Sequence, residues 1–273
     1  IDESADTTTF ELHVGPRAAA SQAEMSKLMS GSLVATEEDR SGGFTLAFTK
    51  REEQLLVERS ALKREAGAPI EIVSPNRVAE AEPGLTRRVR LAAWCALDGY
   101  ANSSLTGTYY RARLAAAGIP YRQGCHVTAI ERLSRGFRLE TSQGEIRAAR
   151  LLLACGAWLK GAAAMIGLDL PGRARVNTVS VTERGPRLVN SVIGHATGLL
   201  TLKQKANGTV LIGGGWQGTG TPEAGRGQVA ADTVLPNLRL AQFAVPGLAG
   251  FRVVRSWTGF EANVPDFYPL AGA

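Results

Sequence analysis

Residues 150–154 read RLLLA, and the chain leaves them through Cys155-Gly156-Ala157-Trp158. A run with apolar side chains at successive positions has no face to give to water. As a strand it must be covered on both sides, which is the situation of a central strand in a sheet flanked by helices. The small residues that follow let the backbone turn tightly and let another group come close. This one segment predicts an α/β layer with a doubly buried strand, whose exit turns into a helix at Trp158.

The surrounding pattern alternates between two kinds of region. Residues 1–9 are polar and read as an open end, residues 16–29 are compatible with a helix, and a strand-like segment follows. Gly42-Gly43 marks a turn before the alternating Phe44, Leu46 and Phe48. Residues 52–66 form a helix whose apolar face is expected at Leu55, Leu56, Leu62 and Ala66, with Gly67 as its stop. Ser74-Pro75 starts a shorter helix that ends at Glu82-Pro83. Asn102 or Ser103 caps another, running through Tyr109, Tyr110, Leu114 and Ala117 to Gly118. Glycines 124, 136 and 144 then divide short strands at 120–123, 126–133, 137–141 and 145–148. Strands dominate residues 173–257, with one helical stretch near 228–237. The fold class is α+β or α/β.

Several function classes fall away. The net charge is +6, but the basic residues are scattered and the densest group, Arg87, Arg88 and Arg90, is short. No basic stripe with interleaved aromatics argues for nucleic acid. No apolar run reaches the roughly 20 residues that span a bilayer. Cys95, Cys125 and Cys155 form no Cys-x-x-Cys pair, so each reads as a small buried hydrophobe in a reducing, cytoplasmic setting. Three histidines, 13, 126 and 195, and the lack of a Gly-x-Ser-x-Gly elbow leave nothing for a hydrolytic triad or a metal site. Gly213, Gly215 and Gly218 spell G-x-G-x-x-G after an apolar strand. However, Thr219-Gly220-Thr221-Pro222 follows where a dinucleotide fold needs a helix, and no acid stands about 20 residues on. That match reads as a loop between strands.

Two constellations carry more information: the stretch from Gly118 to Trp158, and Arg255-Ser256-Trp257-Thr258-Gly259-Phe260 followed by Pro265-Asp266-Phe267-Tyr268-Pro269-Leu270-Ala271-Gly272. With them, from about Gly31 to the last residue, the chain resembles the D-amino-acid oxidase superfamily of FAD-dependent oxidoreductases. The nearest types are glycine oxidase, sarcosine oxidase β-subunit, and opine or hydroxyproline dehydrogenase. Gly42 to Ala47 looks like the family's G-x-L-x-L-A strand and Glu80 to Leu85 like its E-P-x-L turn.

The resemblance implies FAD as cofactor and a small amine or amino acid as substrate, with hydride passing from the amine-bearing carbon to flavin N5. It also allows other subunits of a heteromeric dehydrogenase. Val127 matches the residue whose backbone meets the adenine. Gly156, Ala157 and Trp158 match the small-residue exit beside the dinucleotide, and residues 199–203 and 257–260 would lie near the flavin ring and substrate. Relatives of the glycine oxidase type carry an arginine for the substrate carboxylate where this chain has Glu261. That exchange implies a catalytic or substrate-contacting role for Glu261 toward a cationic or amine group. The implied architecture is part of a Rossmann-like FAD domain (residues 99–171 and 257–273) interleaved with a substrate domain (10–98 and 172–256). The latter holds a large mixed or antiparallel sheet plus helices.

The chain begins at Ile1, and the family's N-terminal phosphate-binding loop and C-terminal glycine-rich stretch have no counterpart in it. The expectation is a truncated chain that holds FAD weakly and is inactive alone. Two alternatives remain: a non-catalytic partner or scaffold module that keeps the substrate domain, and an FAD enzyme of the glycerol-phosphate dehydrogenase type.

Overall fold

A computed structural model describes residues 41–265 together with Leu270 and Gly272. The expected helix at 16–29 and the strand-like segment after it lie outside the described residues. So do Asp266, Phe267, Tyr268, Pro269 and Ala271 of the C-terminal motif. The described chain divides into two compact units, one holding residues up to Tyr100 and Val176–Phe260, the other Ala101–Arg175 and residues from Glu261.

The first unit is built on an eight-stranded sheet. Its strands are β1 (Gly43–Ala47), β2 (Ile70–Val73), β3 (Leu91–Cys95), β7 (Arg173–Thr182), β8 (Val192–His195), β9 (Thr201–Gln204), β10 (Val210–Gly213) and β13 (Val253–Asn263). They lie in the order β13-β7-β10-β9-β8-β1-β3-β2. β1 pairs with β8 in parallel and with β3 antiparallel, so the sheet is mixed.

Side chains alternate between the two faces. On one face Phe44, Leu46, Ala92, Ile193, Leu202, Val210 and Ile212 join a buried cluster with Val78, Ala241 and Ala244. The last three come from the helices α2 (Pro75–Ala81) and α5 (Ala231–Ala244), which cover this side. Leu46 and Ile193 are wholly buried, and each such side chain contributes about 1.5–3 kcal/mol to folding.

The opposite face is covered at one end by helix α1 (Lys50–Glu65). Thr49 caps it: its hydroxyl accepts from the Glu52 N–H, and the Glu52 carboxylate accepts from the backbone N–H groups of Thr49 and Phe48. The expected apolar face is only partly right. Leu56 is buried with Ala47, Ala93 and Ala196, but Leu62 is 66% exposed and Ala66 is exposed. Ser60, one turn after Leu56, is the other buried residue of this helix. A small side chain there lets the backbone sit close to the sheet, which turns Leu62 outward.

The E-P-x-L turn has a structural reason. Glu82 ends α2 and is 1% exposed. Its carboxylate accepts from the N–H groups of Asn190 (2.9 Å) and Ser191 (2.8 Å) and from the Ser191 hydroxyl (2.5 Å). Gln204 plays a similar part in β9. Its side chain accepts from the Leu188 N–H and donates to the carbonyls of Pro186 and Gly208.

The second unit contains α3 (Ser103–Ala116) and a three-stranded meander of β4 (Val127–Arg132), β5 (Phe137–Thr141) and β6 (Gly144–Ala148). Asn102 supports the start of α3, its side-chain oxygen accepting from the Leu105 N–H. Arg138 pairs with Glu131 across the meander, and Arg147 lies 2.7 Å from Glu145. The Arg147 hydrogen bond holds the Glu145 carboxyl below its usual range. After a 3-10 turn at Gly156–Trp158 the chain enters α4 (Leu159–Ala164).

Two expectations fail in this unit. Residues 120–123 are not a strand. Residues 150–154 join no ladder, and Leu152 is 74% exposed. Among the described residues no strand runs beside the RLLLA segment, so its backbone lacks the partners that a buried strand requires. The cysteines also divide: Cys95 is buried, Cys125 half-buried and Cys155 exposed. Cys155 shares the uncovered exit of that same segment.

The G-x-G-x-x-G run opens no helix. Beyond β10 it leads into β11 (Thr219–Thr221), which pairs with β12 (Arg226–Gln228). A side chain at Gly218 would stand 2.2 Å from the Gln228 carbonyl oxygen, so close backbone approach accounts for that glycine.

Candidate functional site

The residues that the resemblance assigns to the cofactor lie in the second unit. Val127 opens β4 and pairs with Thr141, and the register shifts between Val127 and Ala129. Such a bulge frees backbone groups from the ladder, and the Thr128 hydroxyl takes one up by donating to the Glu140 carbonyl. Gly156 adopts φ +55°, and a Cβ placed on it would meet nothing within 4 Å. The left-handed backbone favours glycine there, while the space above it is free among the described residues. Cys155 and Trp158 beside it are exposed, the latter by 51%, and Ala157 is half-buried. An apolar segment ending in an open, small-residue exit fits a flat ring system laid against it.

The first unit, taken by itself, carries a cavity and a partly open sheet face. On the face of the sheet that α1 covers at one end, register aligns Thr45 with Gly194, Gly194 with Thr201, and Thr201 with Gly213. A cavity of about 330 Å³ lies between α1 and this face, lined by Thr45, Arg59, Lys63, Cys95, Asp98 and Thr201 among others. Arg59 is tied in place by donating to the Ala196 carbonyl at 2.7 Å.

Past Thr201 the face is only half-covered among the described residues. Val179 and Val181 of β7, Lys203 of β9 and Leu211 of β10 are half-buried, while the alternate residues behind them are buried. The edge of this floor is fixed through the Leu199 carbonyl, which accepts from Trp216 Nε1 (2.7 Å) and Asn237 Nδ2 (3.1 Å).

Sequence reasoning pointed to residues 199–203 but named no side chain there. It missed the charged pair at the end of that strand, Lys203 in β9 and Lys205 just past it, both drawn onto the ring of Tyr100. The signal was present: two lysines two apart come to one side wherever the backbone is extended. His195 is buried as a structural residue. Its Nδ1 lies 2.6 Å from the Thr197 hydroxyl, its ring stacks on Phe48, and its Nε2 lies 3.3 Å from Glu52 without the alignment of a hydrogen bond. Glu261 stands near the end of β13 with its side chain exposed, and the Arg255 guanidinium lies over the Trp257 ring earlier in the same strand.

The family model described as FAD dependent oxidoreductase matches residues 11–273. The chain belongs to the FAD-dependent oxidoreductase family. Among its curated relatives, an opine oxidase subunit of Rhizobium meliloti is 26% identical over 235 residues, covering 85% of this chain and 61% of that protein. The beta chain of sarcosine oxidase from Rhizobium meliloti (strain 1021) is 33% identical over 154 residues, 56% of this chain and 36% of that one. The fold is that of the crystal structure of glycine oxidase from Geobacillus kaustophilus. The TM-score is 0.82 at 23% identity, covering 97% of this chain and 71% of that one. The chain spans at most about three fifths of the length of these curated relatives. The large mixed sheet with its helices is thus the sheet of this oxidoreductase family. Among the described residues no helix is long and apolar enough to cross a membrane, and no group of three His, Cys, Asp or Glu could hold a metal.

Proposed function

We propose that the protein containing this chain oxidises a small amine or amino acid with FAD. The observation that carries this reading is the family match along residues 11–273. Two relatives named as parts of oxidases, of opine and of sarcosine, support amine chemistry and a place in a heteromeric assembly. In this proposal residues 99–171 and 257–273 belong to the FAD domain, and residues 10–98 and 172–256 form the substrate domain.

When bound, FAD supplies the acceptor for a hydride leaving the carbon next to the amine. The chain's own residues bind and position. Val127 offers backbone groups at a strand bulge to the adenine. Gly156 and Ala157 leave room beside the dinucleotide, and Trp158 closes that side with an apolar ring. The half-covered sheet face sets the substrate's orientation and keeps water from one side of it, which is how a protein contributes to such a reaction. Glu261, standing where relatives carry an arginine, receives a cationic or amine group of the substrate, because like-charged carboxylates repel.

A dye-acceptor assay of the full-length protein tests the reading. Amino acids, secondary amines and glycerol phosphate are offered in parallel. Oxidation of at least one amine is expected. Turnover of glycerol phosphate alone, or of none, would overturn it.

A further inference from the structure

We propose that Lys203 and Lys205, set against the Tyr100 ring on the half-open face of the large sheet, form a carboxylate-binding site. The Lys203 ammonium lies 5.2 Å from the Tyr100 ring centroid and the Lys205 ammonium 4.4 Å from the same centroid. Both are therefore gathered at one aromatic ring and within about 10 Å of each other, Lys203 on β9 and Lys205 just past its end. Among the described residues no acidic side chain lies within ion-pairing distance of either. The other cation nearby belongs to Arg187, which donates to the backbone carbonyls of Gln204 and Lys205.

Two half-buried cations brought together, with no acidic partner among the described residues, are an unfavourable arrangement. Burial pushes the Lys203 ammonium's pKa below its ordinary value, and the charge of Lys205 pushes it the same way. An anion resting between them removes that cost. The two lysines offer several N–H donors and the ring offers a flat, apolar wall. A carboxylate, planar with two acceptor oxygens, matches both.

The site lies two residues from Thr201, on the face assigned above to the substrate. Its role as the anchor for the acid end of an amino-acid substrate rests on that functional reading, whereas carboxylate binding itself does not.

Succinate is the probe. Calorimetric titration of the purified chain compares the wild type with Lys203→Met, Lys205→Met and Lys203→Arg, the melting temperature of each variant being recorded beside it. Each methionine variant is expected to weaken succinate binding about tenfold or more while melting like the wild type, and Lys203→Arg to retain it. Wild-type affinity falls as pH rises through the lowered pKa of Lys203, because the neutral amine no longer attracts the anion. Bound succinate in turn favours the charged amine and raises that pKa. Three results would each overturn the proposal: undetectable succinate binding, methionine variants that bind as the wild type does, or sulfate competing with equal affinity. Its failure and that of the oxidase reading are separable. Amine oxidation by the full-length protein with lysine-independent succinate binding removes this site alone. Lysine-dependent binding without oxidation of any amine removes the oxidase reading alone.

Discussion

Replacing Glu82 with alanine tests whether a buried carboxylate fastens the end of α2 to the segment before β8. The side chain is 1% exposed and accepts three hydrogen bonds, two from backbone N–H groups and one from a hydroxyl. Truncation leaves the buried Ser191 N–H without an acceptor, at about 1–3 kcal/mol, whereas the N–H of exposed Asn190 can turn to water. The Ser191 hydroxyl can turn to another partner and adds little. Together with the cavity left by the side chain, Glu82→Ala should lower stability by about 2–4 kcal/mol. That corresponds to a fall in melting temperature of roughly 10 °C for a unit of this size.

Glu82→Gln separates geometry from charge. Its carbonyl oxygen can keep the two Ser191 donors, but its NH₂ group then faces the Asn190 N–H. It should cost less than the alanine variant and clearly more than nothing, about 1–3 kcal/mol. Urea denaturation followed by circular dichroism measures both. A loss below about 1 kcal/mol in Glu82→Ala, or a glutamine variant equal to the wild type, would refute the reasoning that the carboxylate fastens this turn.

Other expectations follow from the same geometry. Cys155 is exposed and Cys95 buried, so a maleimide should modify Cys155 first, and in the full-length protein added FAD should slow that reaction if the dinucleotide lies against Gly156. Equal rates with and without FAD would count against that placement. Gly156→Val forces a β-branched side chain into φ +55°, which costs at least about 1–2 kcal/mol of local strain and should weaken FAD retention, read as flavin fluorescence after gel filtration. Gln204→Leu strips a side chain with four buried hydrogen bonds and should destabilise by about 2–4 kcal/mol in urea denaturation. In the full-length protein Glu261→Ala should change the ranking of amine substrates by kcat/KM; an unchanged ranking removes the substrate role given to that residue.

Local pattern and tertiary requirement part company within single elements. Helix α1 was legible because its apolar spacing and its stop at Gly67 are local signals, while its cap at Thr49 went unread. Which side of it faces the sheet was not legible. Small Ser60, rather than Leu62, sits where the backbone must come close. The glycine-divided meander of 126–148 was legible for the same reason that turns are, since positive φ at Gly136 and Gly144 is a property of one residue.

By itself the sequence determined the described helices, the meander of 126–148, the dismissal of the G-x-G-x-x-G run, and the family, because each rests on local signals or on the order of such signals along the chain. Only the tertiary structure decided three things. It left residues 150–154 outside any sheet among the described residues, it buried the Glu82 carboxylate against Asn190 and Ser191, and it drew Lys203 and Lys205 onto Tyr100. The physical reason is shared by all three. Hydrogen-bond partners and charge neighbours about 100 residues apart come together only when strands pair, and no spacing within one segment encodes which strand will be the neighbour.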